Sequence, residues 1–211
     1  MPAVFLSYPL GEDTPAYGGE TGTVVFKQVR SISNGDTSNN RVFTFPGHIG
    51  THIDFPYHFS DTGKKSDDYP AAFWEFNKVG FLHCSVQELP AQILSLPADI
   101  ELLIYKSGFG ANRNKDIYWT SQPVIPASVA FTLKERCPLL RVFGFDMISL
   151  TSKLNRPEGK QAHISFLLET GILVLEDMNL TQLEAVPSKV VILPLHLKGV
   201  DGAPCSVIAW Q

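Results

Sequence analysis

Short apolar runs rich in β-branched and aromatic residues recur along the chain. Several of them are nearly continuous rather than alternating with polar residues, a pattern typical of strands covered on both faces. We predict a strand within each of these runs, which cover residues 23–29, 41–45, 80–86, 101–107, 141–146, 171–176 and 189–197.

Helical patterns lie between the later runs. Residues 126–138 begin and end with a proline, placed to open and to close a helix, and residues 161–171 end at a glycine. Residues 181–186 predict a third, shorter helix. Because strands and helices alternate in the second half of the chain, the pattern indicates an α/β fold.

The first half of the chain reads as mostly β, with polar loops at residues 33–40 and 60–70. No internal repeat, low-complexity tract or linker-like stretch divides the sequence. Its 211 residues are enough to bury a substantial core. We therefore predict a single domain over residues 1–211.

Composition narrows the range of partners. Hydrophobic residues make up 44% of the chain and charged residues 18%, which is ordinary for a globular protein. The formal net charge is −4, and the longest basic run is Lys64–Lys65. An acidic chain of this kind is not expected to bind nucleic acid or an anionic membrane surface.

Cellular location is suggested by three features. The chain begins without a positively charged region and apolar stretch of the kind that marks a signal peptide. No segment approaches the roughly 20 apolar residues that a membrane helix needs. Cys84, Cys137 and Cys205 lie far apart and outside any CxxC motif, which indicates free thiols. We expect a cytoplasmic protein.

One window, GHIGTHIDFPYHF at residues 47–59, holds half of the six histidines. It contains His48, His52 and His58, with Asp54 between the last two. A single histidine is most often a structural residue, but three beside a carboxylate indicate a metal site. Imidazole and carboxylate ligands suit zinc and also manganese or iron, so the donor set does not choose the metal.

The local backbone decides whether these side chains can meet. In a straight strand His48 and Asp54 would share a face but lie about 20 Å apart, too far for one ion. Gly50, Pro56 and the β-branched residues between them disfavour a helix. A strand end that bends at Gly50 and leaves at Pro56 would let His48, His52 and Asp54 converge on a cation.

At this point the sequence resembles a known family. The pattern His-x-Gly-Thr-His-x-Asp-x-Pro-x-His at residues 48–58 is similar to the signature of the metal-dependent cyclase/hydrolase family, which includes bacterial kynurenine formamidases and isatin hydrolases. The resemblance implies the family's swivelling β/α/β arrangement with a mixed sheet. Further stretches that resemble family segments are residues 14–21, 144–150, 162–176 and 193–204.

The resemblance also implies a set of metal ligands. His48, His52 and Asp54 would hold a first divalent ion, and Asp54 would bridge to a second ion held by His163. Glu176 would bridge both ions. Zinc is the expected metal and manganese the alternative. The segment from His163 to Glu176 is one residue longer than in the formamidases, so both one and two ions per chain stay open.

Two further residues receive roles through the resemblance. His58 would be the proton donor and acceptor. Tyr17 stands where formamidases carry a tryptophan that contacts the substrate, so it is predicted to bind substrate. Family members are usually homodimers or larger homo-oligomers, and the same assembly is expected here.

The chemistry implied is hydrolysis. A divalent ion lowers the pKa of bound water from 15.7 to about 7, which supplies hydroxide for attack on a carbonyl. The leading prediction is an arylformamidase, which would convert N-formylkynurenine to kynurenine and formate in tryptophan catabolism. An isatin-type lactam or lactone hydrolase is the alternative, and a metal-bearing binding protein without turnover is a third possibility.

Three weaker signals lie outside the window. His83 falls in an apolar run and is predicted to pack in the core. The Gly-x-Gly within residues 107–112 lacks the third glycine of a dinucleotide-binding turn and predicts a plain loop. Asp146, at the end of a run, is predicted either to support the site from outside or to form a turn.

Overall fold

The computed structural model describes residues 2–20 and 22–211. The strands found in these residues are β1 (Ala3–Phe5), β2 (Val25–Arg30), β3 (Asn40–Thr44), β4 (His52–Asp54), β5 (Glu75–Phe76), β6 (Val79–His83), β7 (Leu102–Lys106), β8 (Val142–Phe145), β9 (Leu173–Glu176), β10 (Lys189–Pro194) and β11 (Gly202–Trp210). The α-helices are α1 (Leu89–Ile93), α2 (Ile117–Thr120), α3 (Ser128–Arg136) and α4 (Arg156–Ile164). Each of the seven predicted runs contains a strand.

Nine of the strands form one mixed sheet with the order β5-β10-β11-β4-β9-β8-β7-β6, and β1 also pairs with β11. Strands β6 to β9 run parallel, whereas β4 is antiparallel to both of its neighbours, β9 and β11. The α/β class with a mixed sheet is therefore confirmed. Strand β4 lies where the parallel and antiparallel halves of the sheet meet.

The parallel half explains the continuous apolar runs. Parallel neighbours need a crossover connection, and α1, α3 and α4 lie on the connections between successive strands from β6 to β9. Helix α1 contacts α3, which in turn contacts the segment that follows α4, so the helices form a layer. Strands β8 and β9 are buried along their whole length, as expected beneath such a layer.

Two of the three predicted helices are present. Helix α3 lies within residues 126–138 as predicted. The second prediction matches α4 and its continuation, which begin earlier than expected, at Arg156, and end at Gly171 with a φ of 70°. Glycine adopts this left-handed conformation without steric cost and commonly ends a helix.

The predicted helix over residues 181–186 is wrong, since the chain forms only a turn there. The side chain of Asn179 accepts a hydrogen bond of 2.7 Å from the Thr181 hydroxyl, a local contact that competes with helix formation. Pro187 follows directly and disfavours a helical residue before it.

Strands β2 and β3 form a hairpin separate from the large sheet, joined by the predicted loop at residues 33–40. At its base a small apolar cluster of Ala16, Val24 and Ile49 is buried. This cluster holds the segment around residue 16 against the 47–59 window. Among the described residues, no helix is long and apolar enough to cross a bilayer.

Candidate metal centre

Strand β4 places two of the predicted ligands on one face. His52 and Asp54 are two residues apart and point to the same side, while Ile53 is fully buried on the other side in the main core. In the register of the sheet His52 lies opposite Glu176 on β9, and Asp54 lies opposite Gly202 on β11. The sheet therefore brings a carboxylate from β9 beside the pair on β4.

The bend predicted at Gly50 is present. Gly50 has a φ of 59°, in the left-handed region that side chains disfavour, and the chain turns there just before β4. Pro56 opens a single helical turn that ends at His58. As a result His48 folds back so that its Nδ1 lies 2.8 Å from an oxygen of Asp54, and its ring centroid is 4.0 Å from that of His58.

His163 lies in the second half of the chain, more than 100 residues after the 47–59 window. It lies in the last turn of α4, and its ring stacks on Phe59 with a centroid distance of 5.0 Å. Gly159, one turn earlier, packs so closely on the backbone of Thr151 that any side chain at this position would collide with it. The absence of a Cβ at Gly159 thus allows α4 to approach the site.

A π-helical turn lies between His163 and Glu176. The segment Ser165–Thr170, which continues α4, is a π-helical turn. Such a turn holds one more residue between bonded backbone groups than an α-helical turn does. A turn of this kind can take up an extra residue after His163, whose ring is directed at Asp54 and Glu176.

Backbone carbonyls fix which nitrogen of each buried imidazole faces the cluster. Nδ1 of His52 donates to the carbonyl of Gly50 over 2.8 Å, and Nδ1 of His163 donates to the carbonyl of Gly159 over 2.8 Å. Both Nε2 atoms then point at the carboxylates, where each can hold a proton or bind a cation. Metal-binding histidines almost always donate their second ring nitrogen in this way.

The spacing of donor atoms provides a test for a metal. Nε2 of His52 lies 3.5 Å from one oxygen of Asp54 and 3.4 Å from one oxygen of Glu176. Nε2 of His163 lies 3.4 Å and 3.3 Å from the other oxygen of each carboxylate. Two ligands bound tetrahedrally to one zinc ion lie about 3.4 Å apart, given bond lengths of about 2.1 Å.

These four spacings exceed the usual hydrogen-bond range of about 2.7–3.2 Å and match the spacing of ligands around an ion. Asp54 and Glu176 each give one oxygen to His52 and the other to His163. The residues present therefore fit a divalent ion on either side of the two carboxylates, with His48 beside the His52 half. The main-chain N–H of Leu150 holds Glu176 in place over 2.7 Å.

Charges within the cluster are strongly coupled. Burial lowers the pKa of His48, but hydrogen bonds with Asp54 and Asp201 outweigh it and raise the pKa to about 9. For His163 burial is likewise outweighed by hydrogen bonds to Asp54 and Glu176, which raise the pKa to about 10. The pKa of Asp54 is held below its usual value against the effect of burial, by its hydrogen bonds with His163 and His48. In metal-free protein, protons on His48 and His163 therefore balance the negative charge of the carboxylates.

A pH dependence follows for protein stripped of metal. The raised pKa values of His48 and His163, about 9 and 10, stabilise the folded state fully below pH 6.5. That contribution is lost as the pH rises through the folded values. The melting temperature of stripped protein should therefore fall between pH 6.5 and 9, when measured by differential scanning fluorimetry in chelator.

Zinc should show the opposite trend over the same pH range. Metal binding displaces the protons, so its apparent affinity gains about tenfold per pH unit for each proton displaced. The stabilisation by zinc at a fixed buffered concentration should grow from pH 6.5 to 9. A stripped protein that becomes more stable over this range would contradict the assigned charges.

Asp201 is a site residue that the sequence prediction missed. It immediately precedes β11, and its Oδ2 lies 3.0 Å from Nε2 of His48 and 2.9 Å from Nδ1 of His58. Its sequence signal was its position within residues 193–204, a stretch that resembles a family segment. Nothing in the spacing connects it with histidines about 150 residues earlier, since only the pairing of β4 with β11 brings them together.

A cavity of about 280 Å³ opens above the cluster. The predicted ligands and His58 form its polar part, and its apolar walls include Tyr17, Ile49, Phe59 and Ile148. The Tyr17 hydroxyl is buried and has no hydrogen-bond partner within residues 2–20 and 22–211. All the residues predicted for ligation, proton transfer and substrate contact therefore line one cavity.

The weaker signals are resolved separately. His83 is exposed at the end of β6, so the prediction that it packs in the core is wrong, because the strand alternates and His83 faces outward. Asp146 accepts hydrogen bonds from the backbone N–H groups of Ser107, Gly108 and Gly110, and therefore organises a turn. These bonds occupy the amides of the Gly-x-Gly segment, and Phe109–Asn112 forms a short 3-10 helix rather than the plain loop that was predicted.

Comparison with known proteins identifies the family of this chain. A family model described as putative cyclase matches residues 4–151, which is more than half of the chain. The chain therefore belongs to the putative cyclase family. The resemblance drawn from the 48–58 pattern is confirmed.

Curated relatives match over nearly the whole length. The kynurenine formamidase of Geobacillus thermodenitrificans is 26% identical over 217 aligned positions, covering 96% of this chain and 94% of the relative. The kynurenine formamidase of Bacillus mycoides is 28% identical over 211 positions with the same coverage. The similarity thus includes both the 47–59 window and the segments that carry His163, Glu176 and Asp201.

Solved structures show the same fold. Isatin hydrolase A from Labrenzia aggregata superposes with a TM-score of 0.77 at 21% identity, covering 99% of this chain and 93% of its own. An isatin hydrolase bound to the product analogue thioisatinate superposes with a TM-score of 0.75 at 15% identity, covering 98% and 91%. The predicted family fold is confirmed by these neighbours.

Proposed function

We propose that this protein is a metal-dependent hydrolase of small aryl amides and that aryl formamides are its preferred substrates. The observation that carries the proposal is the set of four spacings of 3.3–3.5 Å between two imidazole nitrogens and two bridging carboxylates. Kinship with kynurenine formamidases supports the same reaction. The net reaction would add water across the amide to give formate and an arylamine.

Five residues would hold the metal. His48, His52, Asp54 and Glu176 would bind one divalent ion, while His163, Asp54 and Glu176 would bind a second. When bound, a divalent ion makes hydroxide available near neutral pH and polarises the substrate carbonyl. Zinc fits the imidazole-rich donor set best, and manganese is the alternative.

His58 would move the proton. It lines the cavity beside His48 but makes its hydrogen bond with Asp201, outside the cluster of bridging carboxylates. Because Nδ1 of His58 is hydrogen-bonded to Asp201, Nε2 of His58 is left to exchange a proton with bound molecules. In an amide hydrolase this nitrogen would take a proton from attacking water and give it to the departing amine.

The shape of the cavity favours a compact aromatic substrate. At about 280 Å³ it lies just below the usual range for ligand sites, which is about 300–1,000 Å³. Apolar walls at Tyr17, Phe59 and Ile148 can accept an aryl ring, while the polar floor holds the amide. The buried hydroxyl of Tyr17 can accept a hydrogen bond as well as donate one, whereas the indole N–H of the family's tryptophan only donates.

Loss of the Tyr17 ring should weaken substrate binding more than it slows chemistry. Tyr17→Ala is expected to raise KM for an aryl formamide while kcat changes less, because binding in the ground and transition states is lost equally. Tyr17→Phe removes only the hydroxyl and serves as the matched variant. A lower melting temperature with unchanged KM would show that Tyr17 is only structural.

The function is tested most simply by a substrate panel. Protein stripped of metal and then loaded with zinc or manganese should hydrolyse N-formylkynurenine or formanilide, with formate released in equal amount to the amine. Stripped protein and alkyl formamides of similar size are the controls. Metal-loaded protein that hydrolyses none of these aryl amides would overturn the proposal.

Lactam opening is the second candidate. Structural neighbours are isatin hydrolases, one of them bound to thioisatinate, and the cavity suits a bicyclic ring of that size. Isatin belongs in the same panel, because a cyclic amide would present the same carbonyl to the metal. A higher kcat/KM for isatin than for any aryl formamide would favour this candidate.

We also propose a homo-oligomer. The β2–β3 hairpin carries large apolar side chains that are exposed, among them Val25, Val29, Val42 and Phe43. A two-stranded hairpin is marginal alone in water, so cover from a second copy would stabilise it. Light scattering coupled to gel filtration would give the assembly size.

A cytoplasmic location is proposed as well, because Cys84, Cys137 and Cys205 are all free thiols.

A further inference from the structure

Asp201 occupies a distinctive place beside the proposed metal centre. One of its oxygens, Oδ2, forms hydrogen bonds with both Nε2 of His48, at 3.0 Å, and Nδ1 of His58, at 2.9 Å. The rings of the two histidines lie close together, with centroids 4.0 Å apart and a tilt of 33°. A single oxygen therefore contacts a predicted ligand and the predicted proton carrier.

We propose that Asp201 is a positioning residue that fixes the tautomers of His48 and His58 together. An ionised carboxylate only accepts hydrogen bonds, so both ring nitrogens that face it must carry their protons. The Nδ1 of His48 is then the nitrogen that faces Asp54, at 2.8 Å, where it carries a proton in metal-free protein and can bind a cation once that proton is displaced. His58 is left with a bare Nε2, which suits proton transfer at the cavity.

Asp201 meets the chemical requirement for this role. Its Oδ2 lies within hydrogen-bond distance of one ring nitrogen of each histidine, an arrangement that suits an acceptor. Its side chain is 42% exposed, so the charge costs less than that of Asp54, which is fully enclosed. The geometry thus suits a carboxylate that serves both rings.

The backbone around Asp201 is arranged for close approach. The carbonyl of Asp201 accepts the N–H of Phe55 at 2.9 Å, which ties it to the chain just after β4. At the next residue, Gly202, any Cβ would collide with the ring of His48. Asp201 is therefore held rigidly, and the missing side chain at Gly202 is what lets the His48 ring reach it.

Two separate consequences follow from this double contact. Through His48, Asp201 should strengthen metal binding, and through His58 it should support turnover at full metal occupancy. Partners of this kind typically change metal affinity or activity by about 10- to 100-fold when removed. The inference rests on the proposed function, but its first test reads the ring nitrogens directly and needs no substrate.

The test compares Asp201→Asn with the control Asp67→Asn in zinc-loaded protein. Asp67 also accepts a hydrogen bond from the 193–204 segment, at Gly199, yet contacts no site residue. Long-range proton–nitrogen NMR spectra of histidine-labelled protein report which ring nitrogen is protonated. The wild type and Asp67→Asn should show His48 protonated at Nε2 and His58 at Nδ1, whereas Asp201→Asn should show His58 shifted toward the other tautomer.

Kinetics and metal binding then separate the effect through His48 from the effect through His58. Asp201→Asn should bind zinc about 10- to 100-fold more weakly and, at saturating zinc, should lose kcat by a similar factor with little change in KM. In a His58→Ala background the same change should leave kcat at saturating zinc unaltered. Unchanged histidine tautomers in Asp201→Asn would overturn the proposal, as would loss of a whole zinc ion at saturation, which would make Asp201 a ligand.

Failure of the proposed function would look different. If no amide is hydrolysed, the tautomers and zinc affinities still report on Asp201. If amides are hydrolysed but neither tautomer nor affinity depends on Asp201, only this inference fails.

Discussion

Replacement of Asp54 with alanine is expected to remove both metal ions and to abolish hydrolysis. Asp54 is buried, and its two oxygens face His52 on one side and His163 on the other, at 3.5 Å and 3.4 Å. No other described side chain except Glu176 spans both halves of the cluster in this way. Elemental analysis of purified protein should therefore find no stoichiometric metal in Asp54→Ala, against one to two ions per chain in the wild type.

His163→Ala provides the matched comparison. It removes a ligand from one half only, so it should lower the metal content while leaving the His48–His52 half occupied. Near-ultraviolet circular dichroism would verify that both variants are folded. Full metal content in folded Asp54→Ala protein would sink the ligand assignment, and unchanged content in His163→Ala would point to a single ion.

Replacement of His58 with alanine is expected to keep the metal and to lose turnover. His58 lies beside the ring of His48, and its hydrogen bond goes to Asp201 rather than to Asp54 or Glu176. A positioned acid–base group is worth about 100- to 10,000-fold in rate, so kcat on the best aryl amide should fall by that factor.

His83→Ala is the control for this experiment, because His83 is an exposed histidine at the end of β6, outside the site. It should match the wild type in metal content and in kcat. Wild-type activity in His58→Ala would make His58 structural, and loss of metal along with activity would make it a ligand.

The short window at residues 47–59 allowed most of the cluster to be predicted. Gly50 and Pro56 restrict the backbone so strongly that a bend was the remaining way to bring His48, His52 and Asp54 together. The long apolar runs were equally informative, since β7, β8 and β9 are almost wholly buried and need continuous apolar sequence. Local constraints of this kind are visible in sequence.

Other features depend on contacts between distant segments. Strand β4 has three residues, two of them the polar His52 and Asp54, so no apolar pattern marks it. Strand β11 begins with Gly202 and includes Pro204, residues that usually argue against a strand. Because β11 was not predicted, its pairing with β4 was not either, and Asp201 could not be placed beside His48.

The π-helical turn after α4 shows a third limit. Counting residues between His163 and Glu176 indicates one too many, but the count does not say where the chain takes up the extra residue. The Ser165–Thr170 segment after His163 forms a π-helical turn, which holds one more residue than an α-helical turn. Knowledge of the local hydrogen bonding was needed to show that His163 keeps its direction.

A centre of two ions bridged by Asp54 and Glu176 can be observed by anomalous diffraction at the zinc edge from crystals of zinc-loaded protein. We expect two peaks, one on either side of these carboxylates, the first bordered by His52 and His48 and the second by His163. A single peak would contradict the two-ion centre. The absence of any peak in this cluster would contradict the metal site itself.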